Sequence, residues 1–146
     1  MHASAFQMKI ISRFARLFKS EYLQELGLSH RESEVLLALE RQPSRSQDDI
    51  SDILLIDKSS VTRCLAALEE KGLVTRAVNP ADRRATSVAL TDAALALAPK
   101  IREINGKWST FMQDAMTEEE WAVFHTALEK VFKNVRSVVA ERRKKP

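Results

Sequence analysis

One stretch of seven residues, from Asp57 to Arg63, constrains the fold of this chain more than any other part of its sequence. Asp57 is a preferred N-cap residue, so a helix is predicted to begin directly after it. The first turns of that helix carry hydroxyl groups and cations, and one of its faces has no bulky apolar side chain. Such a face suits a groove lined with phosphates and base edges, so the stretch predicts a helix that reads duplex DNA.

A basic turn at residues 79–84 follows this reading helix and lies between two short apolar runs, residues 73–78 and 86–90. The composition of these runs predicts two β-strands. Pro80 and the polar residues up to Arg84 predict a connection that is longer than a tight two-residue hairpin. A reading helix followed by a basic β-hairpin predicts a winged helix-turn-helix, with the hairpin as its wing.

The composition favours one helical domain. The 146 residues are 45% hydrophobic and 29% charged, and the low content of 3 Gly and 4 Pro favours long helices over a loop-rich β fold. The net charge is only +3, but residues 58–84 carry six cations against three anions. The distribution of charge matters more than its sum, so this local excess supports contact with DNA in that segment.

Helix start and stop signals predict three more helices before the wing. The first helix ends near Gly27, and a capping box of Ser29 with Glu32 opens the second. Ser46 caps a short third helix, and Gly72 ends the reading helix. The residues predicted to face the core are Val35, Leu36, Leu39, Ile50, Ile53, Leu54, Val61, Leu65 and Leu68.

Two further helices are predicted after the wing. Thr91 caps the fifth helix, in which Pro99 is expected to cause a kink or an interruption and Gly106 lowers helix stability. A second capping box, Thr117 with Glu120, opens the last helix. The last helix carries an apolar stripe of nearly heptad period, which is typical of a helix that packs against another helix.

The sequence predicts a cytoplasmic protein that is not an enzyme and has no metal or cofactor. The single cysteine, Cys64, excludes an internal disulfide and is interpreted as a small hydrophobe rather than a redox sensor. No apolar run is long enough to span a membrane, and cations interrupt the N-terminal segment where a signal peptide needs an apolar core. The three histidines lack zinc-site spacing, and we find no nucleophile with a base, no paired carboxylates and no Gly-rich phosphate loop.

The order and spacing of these motifs resemble the MarR family of bacterial transcriptional regulators. The similarity covers residues 26–97. It rests on Ser46-Gln47, residues 56–63, residues 68–74, residues 82–84 and Leu90-Thr91. The resemblance implies a mainly α fold with a small β-hairpin, in which a winged helix-turn-helix is flanked by N- and C-terminal dimerisation helices.

The resemblance also implies an assembly and partners. Residues 1–146 would form a single MarR-type domain, with the winged helix-turn-helix lobe at 28–97 and dimerisation helices at 1–27 and 98–146. A homodimer would bind a palindromic operator in double-stranded DNA, usually as a repressor, and a small aromatic or phenolic ligand would release it. No membrane contact is expected. The residues expected in the dimer interface, rather than in a ligand pocket, are Phe6, Ile10, Phe14, Trp121, Phe124, Leu128, Phe132 and Val135.

The expected DNA contacts lie in the reading helix, at the start of the third helix and in the wing. The guanidinium of Arg63 fits guanine O6 and N7, but the sequence does not decide which base it reads. By the resemblance, Arg84 matches the family's wing-tip arginine, which enters the minor groove. By the resemblance, Asp82 pairs with Arg76 and so braces the wing. The expected DNA contacts are Gln47, Lys58, Ser59, Ser60, Thr62, Arg63, Arg83 and Arg84. The alternative interpretation of these residues is a plain N-cap, a solvated helix face and a solvated charged turn.

Two positions depart from the family pattern. Leu55 stands where the turn between the third and fourth helices often has Gly. A left-handed backbone at this position would cost a leucine on the order of 1 kcal/mol, so the favoured expectation is a turn that differs slightly from the family's. Ala94 stands where Gly usually follows Leu90-Thr91, which affects helix packing and hardly bears on DNA binding.

Another class of function fits these residues less well. A winged helix that serves as a protein-interaction module, without regulated DNA binding, would be expected to lose the polar face of the reading helix and the wing arginines. Both are present in the sequence. The favoured prediction is therefore a dimeric, ligand-responsive DNA-binding regulator.

Overall fold

The computed structural model describes residues 3–41 and 45–143, and for residues 3, 79, 82–85 and 143 it describes the backbone alone. The described elements are α1 (Ala3–Glu25), α2 (His30–Arg41), β1 (Arg45–Ser46), α3 (Gln47–Leu54), α4 (Lys58–Glu70), β2 (Val74–Asn79), β3 (Asp82–Leu90), α5 (Asp92–Gln113) and α6 (Glu118–Arg143). They confirm the predicted mainly α fold, in which the predicted small β-hairpin forms part of a three-stranded sheet. The chain divides into two compact units, residues 1–108 and 109–146.

Side-chain caps fix the helix starts at the predicted positions. Ser29 Oγ accepts from the Glu32 N–H at 3.2 Å, and a Glu32 carboxylate oxygen accepts from the Ser29 N–H at 2.7 Å. This is the predicted capping box of α2. The predicted box at the start of α6 is formed in the same way. Ser46 caps α3 as predicted, and its reciprocal partner is Asp49.

Leu55, in the turn between α3 and α4, has a left-handed backbone with φ 54° and ψ 43°. The expected difference in this turn is therefore absent, because Leu55 adopts the conformation that glycine favours. A side chain in this conformation costs roughly 1–2 kcal/mol. Two hydrogen bonds help to offset that cost: the Leu55 N–H donates to the Ser51 carbonyl, and Ser51 Oγ donates to the Ile56 carbonyl at 2.6 Å.

Helix α5 continues without interruption through Pro99 and Gly106. The expected interruption at Pro99 is therefore absent, and the alternative expectation, a kink, remains a prediction. Pro99 lacks the N–H that would donate to the carbonyl of Leu95. The side chain of Leu95 is exposed, so this turn of the helix lies at the protein surface.

The three strands form one antiparallel sheet in the order β1-β3-β2. Strand β1 was not predicted from the sequence. Its two residues, Arg45 and Ser46, pair with Val88 and Ser87 of β3. A strand of two residues has no alternating pattern, so only its distant partner strand defines it.

The connection of the wing is shorter than predicted. Only residues 80–81 join β2 to β3, so the prediction of a long turn is wrong. Val78 of β2 pairs with Thr86, but the following residue, Asn79, pairs with Asp82. The polar residues of β3 between Asp82 and Thr86 therefore bulge from the ladder instead of extending the turn.

The core of the first unit contains the apolar faces of α2, α3 and α4. The predicted inward-facing residues of α2 and α4 are buried, as is Ile50 of α3, whereas Ile53 and Leu54 are half-buried. The largest fully buried side chains are Leu23, Leu36, Leu39, Ile50, Leu65, Leu68, Ile101, Val35, Val61, Val74 and Val88. Since one face of α4 belongs to this core, its opposite face lies at the surface.

Among the helices described here, none is long and apolar enough to cross a membrane.

Candidate nucleic-acid interface

Helix α4 presents a polar surface at its N-terminal end. Residues 55–57 join α3 to α4, which form the predicted helix-turn-helix. The inner face of α4 is fully buried through Val61, Leu65 and Leu68. The exposed side chains on its other faces are Lys58, Ser59, Thr62 and Arg63. The structure therefore brings four of the expected DNA contacts together at one end of the helix.

Asp57 binds the hydroxyl groups at the start of α4. Its carboxylate accepts from Ser59 Oγ at 2.5 Å and from Ser60 Oγ at 2.7 Å. It also accepts from the Ser60 N–H at 2.8 Å, the bond that caps the helix. The hydrogen bonds from Ser59 and Ser60 hold the pKa of Asp57 well below its ordinary value. The start of α4 therefore carries an exposed negative charge at neutral pH.

The next polar residues also bind within the helix. Arg63 Nη2 donates to Ser60 Oγ at 3.3 Å, and Thr62 Oγ1 donates to the Lys58 carbonyl at 2.9 Å. Ser60 is half-buried, unlike its exposed neighbour Ser59. Because Ser60 both donates to the cap and accepts from Arg63, its geometry favours a structural role.

An acidic residue of α3 lies beside this surface. Lys58 Nζ is 3.0 Å from Asp48 Oδ1, and both side chains are exposed. No local pattern in the sequence shows that Asp48 would reach this lysine, so this ion pair could not be predicted. An exposed ion pair contributes little to stability, so exchanging Asp48 for a phosphate would cost Lys58 little. Gln47, another expected contact, is half-buried as the first residue of α3.

The wing is joined to the end of α4 by an ion pair that the sequence did not reveal. Arg76 of β2 donates from Nη2 and Nε to one oxygen of Glu69, at 2.5 and 3.0 Å. These bonds lower the pKa of Glu69 below its ordinary value. The side chains of Asp82, Arg83 and Arg84 lie outside the described residues. The brace between Arg76 and Asp82 and the wing contacts therefore remain predictions.

Cys64 lies on the inner face of α4 and is 8% exposed. Burial, and after it the charge of Glu32, raises the pKa of the Cys64 thiol to about 11. A thiol with a raised pKa is a poor nucleophile, which supports the interpretation of Cys64 as a small hydrophobe. Within the part of the chain that the structure describes, no cluster of three His, Cys, Asp or Glu side chains could hold a metal ion.

The apolar side chains of α1 that were expected in a dimer interface are exposed in the single chain. Phe6, at 64%, is the most exposed of the three, and Ile10 and Phe14 are also exposed. Phe14 contacts the ring of Trp108, with centroids 6.1 Å apart. The outer part of α1 therefore presents apolar surface that the first unit does not cover.

Helix α6, in the second unit, also presents apolar side chains. Leu128, Phe132 and Val135 are exposed. Trp121 and Phe124 are half-buried, and their rings stack with centroids 5.8 Å apart. The two aromatic residues near the start of the stripe thus contact each other, whereas the three later residues of the stripe are exposed to solvent.

Comparisons with known proteins agree with this arrangement. The model of the MarR family matches residues 26–85. The uncharacterized HTH-type transcriptional regulator YdgJ of Bacillus subtilis (strain 168) is 30% identical over 114 residues, which are 78% of this chain and 70% of that protein. The HTH-type transcriptional regulator BilQ of Clostridioides difficile (strain CD3) is 26% identical over 106 residues, 73% of this chain and 71% of that protein.

A solved structure shows the same fold. A MarR transcriptional regulator from Methanosarcina mazei Go1 has a TM-score of 0.89 and 22% identity, and the match covers 94% of this chain and 99% of that one. The family consists of transcriptional regulators, which confirms the prediction that the chain is not an enzyme. The chain belongs to the MarR family of helix-turn-helix transcriptional regulators.

Proposed function

We propose that this chain is a homodimeric repressor that binds a palindromic operator in double-stranded DNA and is released by a small ligand. The observation that carries the proposal is the surface of α4. There Lys58, Ser59, Thr62 and Arg63 are exposed at the N-terminal end of a helix whose other face is fixed in the core. A recognition helix contacts bases through this end.

The groups on this surface match the chemistry of a DNA groove. The guanidinium fork of Arg63 fits guanine O6 and N7, and Lys58 supplies a charge for a phosphate. Gln47 at the start of α3 and the wing arginines Arg83 and Arg84 extend the contact on either side. In this proposal residues 28–97 form the DNA-binding lobe.

The exposed apolar residues of α1 and α6 support a homodimer. Large apolar side chains at the surface of a single chain mark an interaction surface. Residues 1–27 and 98–146 supply the dimerisation helices. Two-fold pairing would place two copies of α4 about one DNA turn apart, roughly 34 Å, which requires a palindromic site.

Repression and release by a ligand rest on membership of the family. We assign a small aromatic or phenolic molecule as the ligand, because the resemblance implies this class. A ligand that binds better to a dimer with another spacing of the reading helices lowers DNA affinity, and DNA lowers ligand affinity by the same factor. The protein would act in the cytoplasm, without a cofactor and without membrane contact.

Selection of bound sequences from fragmented genomic DNA and random duplexes tests the proposal on the full-length protein. Light scattering measures its oligomeric state. We expect a dimer that enriches one palindromic sequence. Arg63→Ala should abolish the enrichment. Lys100→Ala, which removes another exposed cation, from α5, should leave the enrichment unchanged.

Two results would contradict the proposal. A protein that is monomeric and enriches no duplex would contradict both the homodimer and the DNA binding, and it would favour the interaction module. Enrichment that survives in Arg63→Ala would show that Arg63 does not make the base contact assigned to it.

The ligand is tested separately, by titrating phenols and aromatic acids into the complex with the selected duplex. Release of DNA at concentrations that leave the dimer folded supports the inducer. If none of these compounds changes the affinity, this ligand class is wrong even though DNA binding stands.

A further inference from the structure

The two exposed hydroxyl groups at the start of α4, those of Ser59 and Thr62, each donate their only proton to an acceptor within the protein. Ser59 Oγ lies against a carboxylate oxygen of Asp57, and Thr62 Oγ1 lies against the carbonyl of Lys58. Neither of these partners can donate, so each hydroxyl must be the donor in its bond. Among the described residues, none donates to Ser59 Oγ or Thr62 Oγ1. Both oxygens therefore offer only lone pairs to a ligand.

A phosphate is a poor partner for such a surface, because a phosphate oxygen accepts hydrogen bonds and carries negative charge. The carboxylate of Asp57 occupies the capping position that would otherwise attract an anion to the helix N-terminus. A phosphate at Ser59 would have to break the bond to Asp57 and approach an ionised carboxylate.

We propose that Ser59 and Thr62 read the exocyclic amino groups of adenine or cytosine in the major groove, and that they are specificity-determining residues. Adenine N6 and cytosine N4 are the donors that the major-groove edges of base pairs present. This inference rests on the proposed function and names the chemistry of the bases recognised. The guanidinium of Arg63 donates hydrogen bonds, whereas the oxygens of Ser59 and Thr62 accept them. Guanine and an amino-bearing base would therefore be recognised side by side.

Ser60 has a different role from the two exposed hydroxyls. Its O–H donates to Asp57 and its oxygen accepts from Arg63, so the hydroxyl is used both as a donor and as an acceptor within the helix and its cap. Ser60 therefore acts as a positioning residue for Arg63. Its replacement should relax the preference at the guanine that Arg63 contacts and leave the preference for the amino-bearing base in place.

The test uses the full-length dimer and the duplex that it selects from a random pool. Selections with Ser59→Ala and Thr62→Val identify the base pairs that each hydroxyl reads. At those positions adenine is replaced by purine, or cytosine by 2-pyrimidinone, each of which differs from the natural base only by the missing amino group. We expect these analogues to weaken binding of the native protein by about tenfold, the effect of losing one hydrogen bond in a buried contact.

The variants supply the matched controls. In the variant without the hydroxyl, the same analogue should cause no further loss, and Thr62→Ser should restore the native sensitivity. The proposal is overturned if the analogue weakens the native protein and the variant equally. It is also overturned if methylphosphonate at the adjacent phosphate, instead of the base analogue, removes the effect of the hydroxyl. A native protein that selects no duplex is a distinct result, since the proposed function then fails together with this inference.

Discussion

The ammonium of Lys71 lies 2.8 Å from a carboxylate oxygen of Glu32, in an ion pair that joins the end of α4 to the start of α2. Glu32 is only 5% exposed. Lys71 Nζ also donates to the carbonyl of Gly27, just beyond α1, at 2.8 Å. Burial alone would raise the pKa of Glu32, but the hydrogen bonds from Lys71 and Ser29 outweigh it and lower the pKa. One cation thus fixes the end of the reading helix against two other helices.

We expect Lys71→Met to lower the free energy of unfolding by about 2 kcal/mol, because it leaves a buried carboxylate without its counterion. The loss stays below that of a fully buried pair, since Lys71 itself is 41% exposed. Urea unfolding measures the change, and Lys100→Met is the matched control at an exposed site. Adding Glu32→Gln should recover most of the loss. A Lys71→Met protein as stable as the control would show that the pair is dispensable.

The lowered pKa of Glu32 also predicts how stability depends on pH. Because the folded-state pKa lies below the ordinary value of 4.5, the ionised form stabilises the fold at higher pH. That contribution is complete above 4.5 and is lost as the pH falls through the folded-state pKa. Unfolding in urea at a series of pH values below 6 should therefore show a steeper acid loss in the native protein than in Glu32→Gln. If the free energy of unfolding falls with pH equally in the two proteins, Glu32 does not have a lowered pKa in the folded state.

The left-handed backbone at Leu55 predicts an unusual order of stabilities. Leu55→Gly relieves the strain of the side chain, and it gains backbone freedom in the unfolded state that partly cancels the benefit. We expect Leu55→Gly to be more stable than Leu55→Ala by about 1 kcal/mol, because alanine keeps the strained Cβ. Both substitutions remove the same apolar side chain, so the comparison isolates the backbone. Thermal unfolding that ranks alanine above glycine would place the conformation of this turn in doubt.

The caps and the buried helix faces could be predicted from sequence because their partners are close along the chain. The box of Ser29 with Glu32 is an example, since its two residues are three positions apart. The same Glu32 also pairs with Lys71, which is 39 positions away. No local pattern encodes that pairing, and the same reason explains why β1 and the Asp48 partner of Lys58 were missed. The wing turn was wrongly predicted because the register of β3, rather than the number of polar residues, determines its length.

Arg84→Ala should weaken binding to the selected duplex by more than about tenfold while the dimer remains intact. The reason is the loss of a guanidinium from the negative potential of a narrow minor groove. Fluorescence anisotropy at moderate salt measures the affinity, and Lys100→Ala controls for the general loss of one positive charge. An unchanged affinity would remove Arg84 from the DNA contact.

Asp82→Ala gives the sharpest test of the wing, because the loss of charge and the loss of bracing change the affinity for DNA in opposite directions. Removing an anion near DNA should strengthen binding through the phosphates. If Asp82 instead holds Arg76 and so positions the wing, its loss should weaken binding by about fivefold, which corresponds to the ~1 kcal/mol of an ion pair at the surface. Glu70→Ala is the matched control, since it removes an exposed anion from the end of α4. We expect the control to bind the selected duplex at least as tightly as the native protein. Tighter binding by Asp82→Ala in the same anisotropy experiment would show that Asp82 does not brace the wing, and the ion pair of Arg76 with Glu69 would then be the support that remains.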